Sequence, residues 1–116
     1  PPRSTLFPYT TLFRSNGKGD DKTVCASLYS PKSGILLEVF TNEPGIQVYT
    51  GNFQGTGIAC KHGIKYPKHV SVCFESQKYP DSPTKIAQGV KDWTDATLKP
   101  GEKYYSHLAY KFSVKK

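Results

Sequence analysis

The stretch ILLEVFTNEPGIQVYT, residues 35–50, decides how the chain is read. ILLEVFTN, residues 35–42, is a strand-like apolar run, and Glu43-Pro44-Gly45 breaks it with a tight turn: Pro presets its own φ and Gly accepts positive φ. The run then resumes, with Ile46, Val48 and Thr50 on one face of a second strand and Gln47 and Tyr49 on the other. Upstream, TVCASLY, residues 23–29, puts Val24, Ala26 and Leu28 on one side, and SPKSG, residues 30–34, joins it to Ile35 as a hairpin. Downstream, VSVCFES, residues 70–76, alternates cleanly: Val70, Val72 and Phe74 face one way, Ser71, Cys73 and Glu75 the other. YYSHLAYKFSV, residues 104–114, closes the chain with Tyr104, Leu108, Tyr110, Phe112 and Val114 along its apolar side. Residues 78–101 carry Pro80, Pro83 and Pro100 and read as loop, with room for a helical turn only within 84–93. The chain reads as all-β, built of antiparallel strands.

Composition agrees. A chain of 116 residues is one domain at most, and 13% aromatic residues with 10 Gly and 9 Pro favour short strands joined by turns. No apolar run approaches the roughly 20 residues of a bilayer-spanning helix, and no signal peptide is visible, so no membrane partner is expected. The net charge of +7 raises nucleic acid as a partner. Its distribution argues against that: both arginines, Arg3 and Arg14, precede residue 16, and the body carries only dispersed lysines. A groove that grips phosphates and guanine edges calls for the bidentate guanidinium. Cys25, Cys60 and Cys73 form no C-x-x-C pair and are expected as reduced, partly buried thiols of a cytoplasmic protein. His62, His69 and His107 are too scattered for a metal site, so no metal or other cofactor is expected.

The first fifteen residues differ from the rest. They hold all the arginine and a near-duplication, TLFP then TLFR. TLFPYTTLFRS, residues 5–15, resembles what a common sequencing-library adapter encodes in one frame. Residues 1–15 are therefore expected to be an artefactual leader that packs little on the body, with the natural chain continuing N-terminally of Asn16 by other residues.

Among the carboxylates Glu75 stands out, because it sits inside an apolar strand run rather than in a turn. That placement predicts semi-buried surroundings and a fixed position, which suit a general base. A glutamate on the solvated face of a half-exposed strand fits the same pattern. Gln47 and Tyr49 offer an amide for hydroxyls and a ring for the apolar face of a sugar, and ordinary strand decoration fits them equally. The glycine-rich GNFQGTGIACKHG, residues 51–63, lacks the Lys-Ser/Thr pair and the following helix of a phosphate-binding loop.

Three segments in order, EVFTNEPGIQVYTGNF (38–53), YPKHVSVCFESQKYPDSP (66–83) and LKPGEKYYSHLAYKFSV (98–114), resemble successive stretches of the aldose 1-epimerase (galactose mutarotase) family. With SPKSG before them they cover most of the chain after Ser27. The resemblance implies that residues 16–116 are the C-terminal part of an epimerase domain, a portion of that family's large β-sandwich. It implies Glu75, within Cys73-Phe74-Glu75-Ser76-Gln77, as the catalytic base, and Gln47 as a sugar contact. The substrate implied is an aldohexose whose α and β anomers are interconverted without a cofactor. The family's acid histidine, its second sugar-binding histidine, an arginine and an aspartate lie upstream of the matched segments. None of His62, His69 or His107 occupies those motifs, and His69 reads as structural. KIAQGVKDWTDAT, residues 85–97, departs from the family's Asn- and Pro-rich loop. The 116 residues alone are thus expected to be inactive. A non-catalytic carbohydrate-binding β-module is the rival reading.

Overall fold

The computed structural model describes residues 10–17, 20, 22–55 and 57–115. Among these the chain runs β1 (Thr10–Arg14), β2 (Ala26–Tyr29), β3 (Ile35–Thr41), β4 (Gly45–Tyr49), β5 (Cys73–Gln77), α1 (Ser82–Ala87) and β6 (Leu108–Val114). The strands form two three-stranded sheets, ordered β1-β4-β5 and β2-β3-β6. The all-β class is as expected, with one short helix. The chain divides into two compact units: Gln47–Glu75 with the residues up to Phe13, and Arg14–Ile46 with Ser76–Lys116.

In the second unit the β2–β3 hairpin read from the sequence is present, antiparallel, with Ala26 opposite Val39 and Leu28 opposite Leu37. Gly34 closes its turn at φ +74°, and a Cβ there would meet the Lys115 carbonyl at 2.9 Å. That turn therefore needs glycine. β6 pairs with the other edge of β3 from Ile35–Val114 to Thr41–Leu108. Facing residues of a ladder share one side of the sheet. That side carries Leu28, Ile35, Leu108, Tyr110, Phe112 and Val114, all exposed, Phe112 and Val114 at 68%. The alternation is thus the expected one, and this apolar side is open to solvent except at Val39 and Thr41, which share it and are buried.

Burial concentrates instead where β3 ends. Val39, Phe40 and Thr41 are buried, and so are Glu43 and Ile46 just beyond. The turn between β3 and β4 is stitched to the residues leading into β6. Thr41 Oγ1 donates to the His107 carbonyl at 2.8 Å, the His107 N–H to Asn42 Oδ1 at 2.7 Å, and Asn42 Nδ2 to the Tyr105 carbonyl at 3.3 Å. Residues 104–107 therefore serve as side-chain and carbonyl partners for this turn, and β6 begins at Leu108 rather than at Tyr104.

Other boundaries also move. β5 begins at Cys73, not Val70, because His69 takes a left-handed φ of 62° and holds the preceding residues in a turn. The helix starts at Ser82, with Pro83 in its first turn, where a missing N–H costs nothing. The expectation that residues 1–15 pack little does not hold for the described part of that segment. Thr10–Arg14 is a strand beside β4, Leu12 is buried, and the Ser15 N–H donates to the Pro44 carbonyl at 2.7 Å. Threonine, leucine and phenylalanine suit an edge strand whatever their origin. Residues 1–9 lie outside the described residues.

Candidate active site

Gln47 is the central residue of β4 and Glu75 that of β5, and these two strands are hydrogen-bonded neighbours. Two residues 28 positions apart in sequence are thereby brought to one sheet. Gln47 is half-buried beside the buried Ile46. Glu75 is exposed, and its carboxylate makes no hydrogen bond or ion pair among the described residues. The expected semi-buried setting is therefore absent. Among the described strands β5 stands at the end of its sheet, with β4 as its one neighbour, and Phe74, Ser76 and Gln77 are partly buried. A carboxylate so placed is open to a ligand, and what it can do chemically depends on what faces it.

The loop beyond β4 is ordered by a small polar network in the same unit. The Phe53 N–H donates to the Tyr49 hydroxyl at 3.0 Å, so Tyr49 braces the loop through that hydroxyl. The His69 and Gln54 N–H groups both donate to the Gly51 carbonyl, at 3.2 and 3.1 Å. The His69 ring nitrogen Nδ1 lies 3.2 Å from the Thr50 carbonyl; a carbonyl only accepts, so Nδ1 carries the proton. This contact holds the His69 ring against the start of the loop. Gln54 Nε2 donates to Ser71 Oγ at 2.8 Å and ties the loop to the approach to β5.

Sequence reasoning missed Glu43. Its carboxylate is 3% exposed as a residue, beside Lys78 Nζ at 3.0 Å from Oε2, and Tyr104 donates its hydroxyl to Oε1 at 3.3 Å. Lys78 approaches off the hydrogen-bonding direction, so Oε2 has an ion-pair partner and no aligned hydrogen bond. A glutamate in a Glu-Pro-Gly turn reads as solvated, and only the contact with the segment after β5 shows otherwise. Nearby, the Tyr79 and Trp93 rings meet at a tilt of 55° with centroids 5.2 Å apart, and the Trp93 indole donates to the Pro80 carbonyl at 3.1 Å. These rings, with Asn42, Glu43 and Lys91, line an open cleft of about 430 Å³ that includes neither Gln47 nor Glu75.

Among the described residues no three His, Cys, Asp or Glu side chains stand together as metal ligands, and no helix is long and apolar enough to cross a membrane. Cys25, Cys60 and Cys73 are free thiols, and Cys60 and Cys73 are exposed rather than partly buried, the first in a loop and the second at the open start of β5.

Residues 4–111 match the family model described as aldose 1-epimerase. The chain belongs to the aldose 1-epimerase family. The chain is 42% identical to the galactose mutarotase of Mus musculus over 94 residues, which is 81% of this chain and 26% of that protein. To the aldose 1-epimerase of Escherichia coli strain K12 it is 35% identical over 106 residues, 90% of this chain and 29% of the relative. A crystal structure of a GalM/aldose epimerase homologue from C. elegans superposes with a TM-score of 0.65 at 26% identity, covering 84% of this chain and 28% of that one. This epimerase-family chain thus spans between a quarter and a third of the length of the relatives it matches, and its fold is a portion of theirs.

Proposed function

We propose that these residues form the C-terminal part of an aldose 1-epimerase domain, within residues 16–116, that interconverts the α and β anomers of an aldohexose such as galactose or glucose. Glu75 takes the proton from the anomeric hydroxyl while an acid protonates the ring oxygen. The C1–O5 bond breaks, the aldehyde turns about C1–C2, and closure on its other face returns both protons. Gln47 holds sugar hydroxyls from the neighbouring strand. The observation that carries this reading is that Glu75, a carboxylate with no partner among the described residues, and Gln47 stand on adjacent strands of a chain belonging to this family. Three unpaired thiols support a cytoplasmic location, where disulfides are not expected to form.

One observation favours the rival, a carbohydrate-binding β-module without catalysis: Glu75 is exposed, as a glutamate on the solvated face of a strand is. The discriminating experiment follows the optical rotation of freshly dissolved α-galactose in the presence of a protein of the relatives' length carrying these residues. Acceleration over buffer supports the epimerase. Saturable binding of galactose with no acceleration supports the module.

A further inference from the structure

We infer that His69 is a positioning residue: it closes the base of the connection between β4 and β5 and so holds the start of β5, and Glu75 with it, in place. Residues 50–72 link the two strands, and Gln47, Glu75 and the whole connection lie in one compact unit. Thr50 and Gly51 follow β4 directly, three and four residues after Gln47, and His69 stands six residues before Glu75. His69 bridges these two legs twice. Its N–H donates to the Gly51 carbonyl and its Nδ1–H to the Thr50 carbonyl, each at 3.2 Å. Gln54 adds a third tie, from Nε2 to Ser71 Oγ at 2.8 Å. The legs still run close one step further out, where a Cβ on Gly55 would meet the Lys68 nitrogen at 3.2 Å.

Packing of the outer loop does not supply this closure, because residues 57–70 are all exposed. The two strands are neighbours in the sheet but are unequally held. β4 lies between β1 and β5, whereas β5 has β4 as its one neighbour among the described strands. A strand held on one side opens from its end, and Glu75 is the third residue from the loop-side end of β5 at Cys73. His69 meanwhile keeps a left-handed backbone, φ 62°, which a residue with a Cβ adopts at a cost. Such a conformation persists where surrounding bonds over-determine it, and the bonds to residues 50 and 51 do so here. Gly51 is buried, and its carbonyl takes the N–H of Gln54 as well as that of His69, so its two lone pairs are filled from both legs of the loop.

That this closure serves catalysis rests on the roles proposed above for Gln47 and Glu75; the closure itself is read without sugar. Hydrogen exchange of the 116-residue chain is compared with that of its His69→Gly, His69→Asn and Gln54→Ala variants. Glycine accepts the left-handed backbone and removes the ring, while asparagine also tolerates that backbone and carries an N–H on the atom that corresponds to Nδ1. His69 is exposed, so neither change leaves a cavity. The expected result is exchange about fivefold faster at the His69 amide and the β5 amides in His69→Gly, the size of one hydrogen bond. His69→Asn stays within about twofold of the parent, Gln54→Ala repeats the effect of His69→Gly, and β3 and β6 keep their protection throughout. In a protein of the relatives' length, His69→Gly should lower kcat about tenfold with KM near the parent's, because Gln47 stays on a strand flanked on both sides, and His69→Asn should restore it. Unchanged exchange in His69→Gly, equal acceleration in every strand, or an asparagine variant as fast as the glycine variant would each overturn the inference. So would a parent chain whose His69 amide exchanges like an open loop, or full turnover in His69→Gly where Glu75→Gln has none. Turnover untouched by Glu75→Gln would sink the reading of Glu75 instead, and the exchange rates would still decide on His69.

Discussion

Glu43 and Glu75 are the same side chain in opposite settings, and their sequence contexts point the wrong way for each. Glu75 lies in an apolar strand and is exposed; Glu43 lies in a Pro-Gly turn and is buried. Alternation told which face Glu75 takes, but not whether that face is covered, since cover comes from residues far along the chain. If Glu75 is the base, Glu75→Gln in a protein of the relatives' length keeps shape and removes proton acceptance. Turnover should fall at least ~10²-fold while galactose affinity changes little. An unaltered anomerisation rate would move the base to another residue. Gly51 offers a test of the loop that follows Gln47 and Tyr49. Its φ is +70°, and a Cβ there would come within 2.7 Å of Gln54 Oε1, the side chain that bonds Ser71. Gly51→Ala should cost about 1–2 kcal/mol from the left-handed backbone alone, read as a lower urea midpoint. A midpoint equal to the parent's would show that the loop relaxes freely.

Elements were legible where local chemistry decides them. Residues 30–34 made the β2–β3 hairpin readable, because a Pro-Lys-Ser-Gly turn between two apolar runs leaves few alternatives. The strand boundaries at residues 70–73 and 104–108 were not, because His69's left-handed backbone and the bonds from Thr41 and Asn42 to residues 105–107 are tertiary facts. The first strand is the sharper lesson. Residues 5–15 resemble a translated adapter, yet a strand needs only suitable residues and an available edge, and Thr10–Arg14 has both. Leu12, 7% exposed, is the handle on this element. Leu12→Ala should lower stability by about 2–3 kcal/mol if β1 is integral, as a buried leucine lost from a core does. A change within about 0.5 kcal/mol, the size expected of a surface position, would return the segment to a bystander.

At the scale of the whole molecule, the open side of the β2-β3-β6 sheet and the open position of Glu75 have one physical source: a sheet face becomes an interior only when a second layer lies on it. Leu28, Ile35, Phe112 and Val114 have the residue types of a core and the exposure of a surface, and a catalytic carboxylate likewise needs a facing wall. In the proposed reaction such a wall supplies a proton to the ring oxygen at the moment Glu75 removes one from the anomeric hydroxyl. We therefore predict that the 116-residue chain by itself does not interconvert anomers above background. Positioning of reacting groups can account for ~7–11 kcal/mol of a barrier. Here the sugar would meet Glu75 and Gln47, whereas the acid histidine that the family resemblance implies is not among His62, His69 and His107. The measurement is polarimetry on freshly dissolved α-galactose with the purified chain, beside a Glu75→Gln control. Equal rates in chain, control and buffer are expected. A rate well above buffer that disappears in the control would mean that a histidine of this chain, His62, His69 or His107, supplies the acid, and that no further facing wall is needed for the reaction.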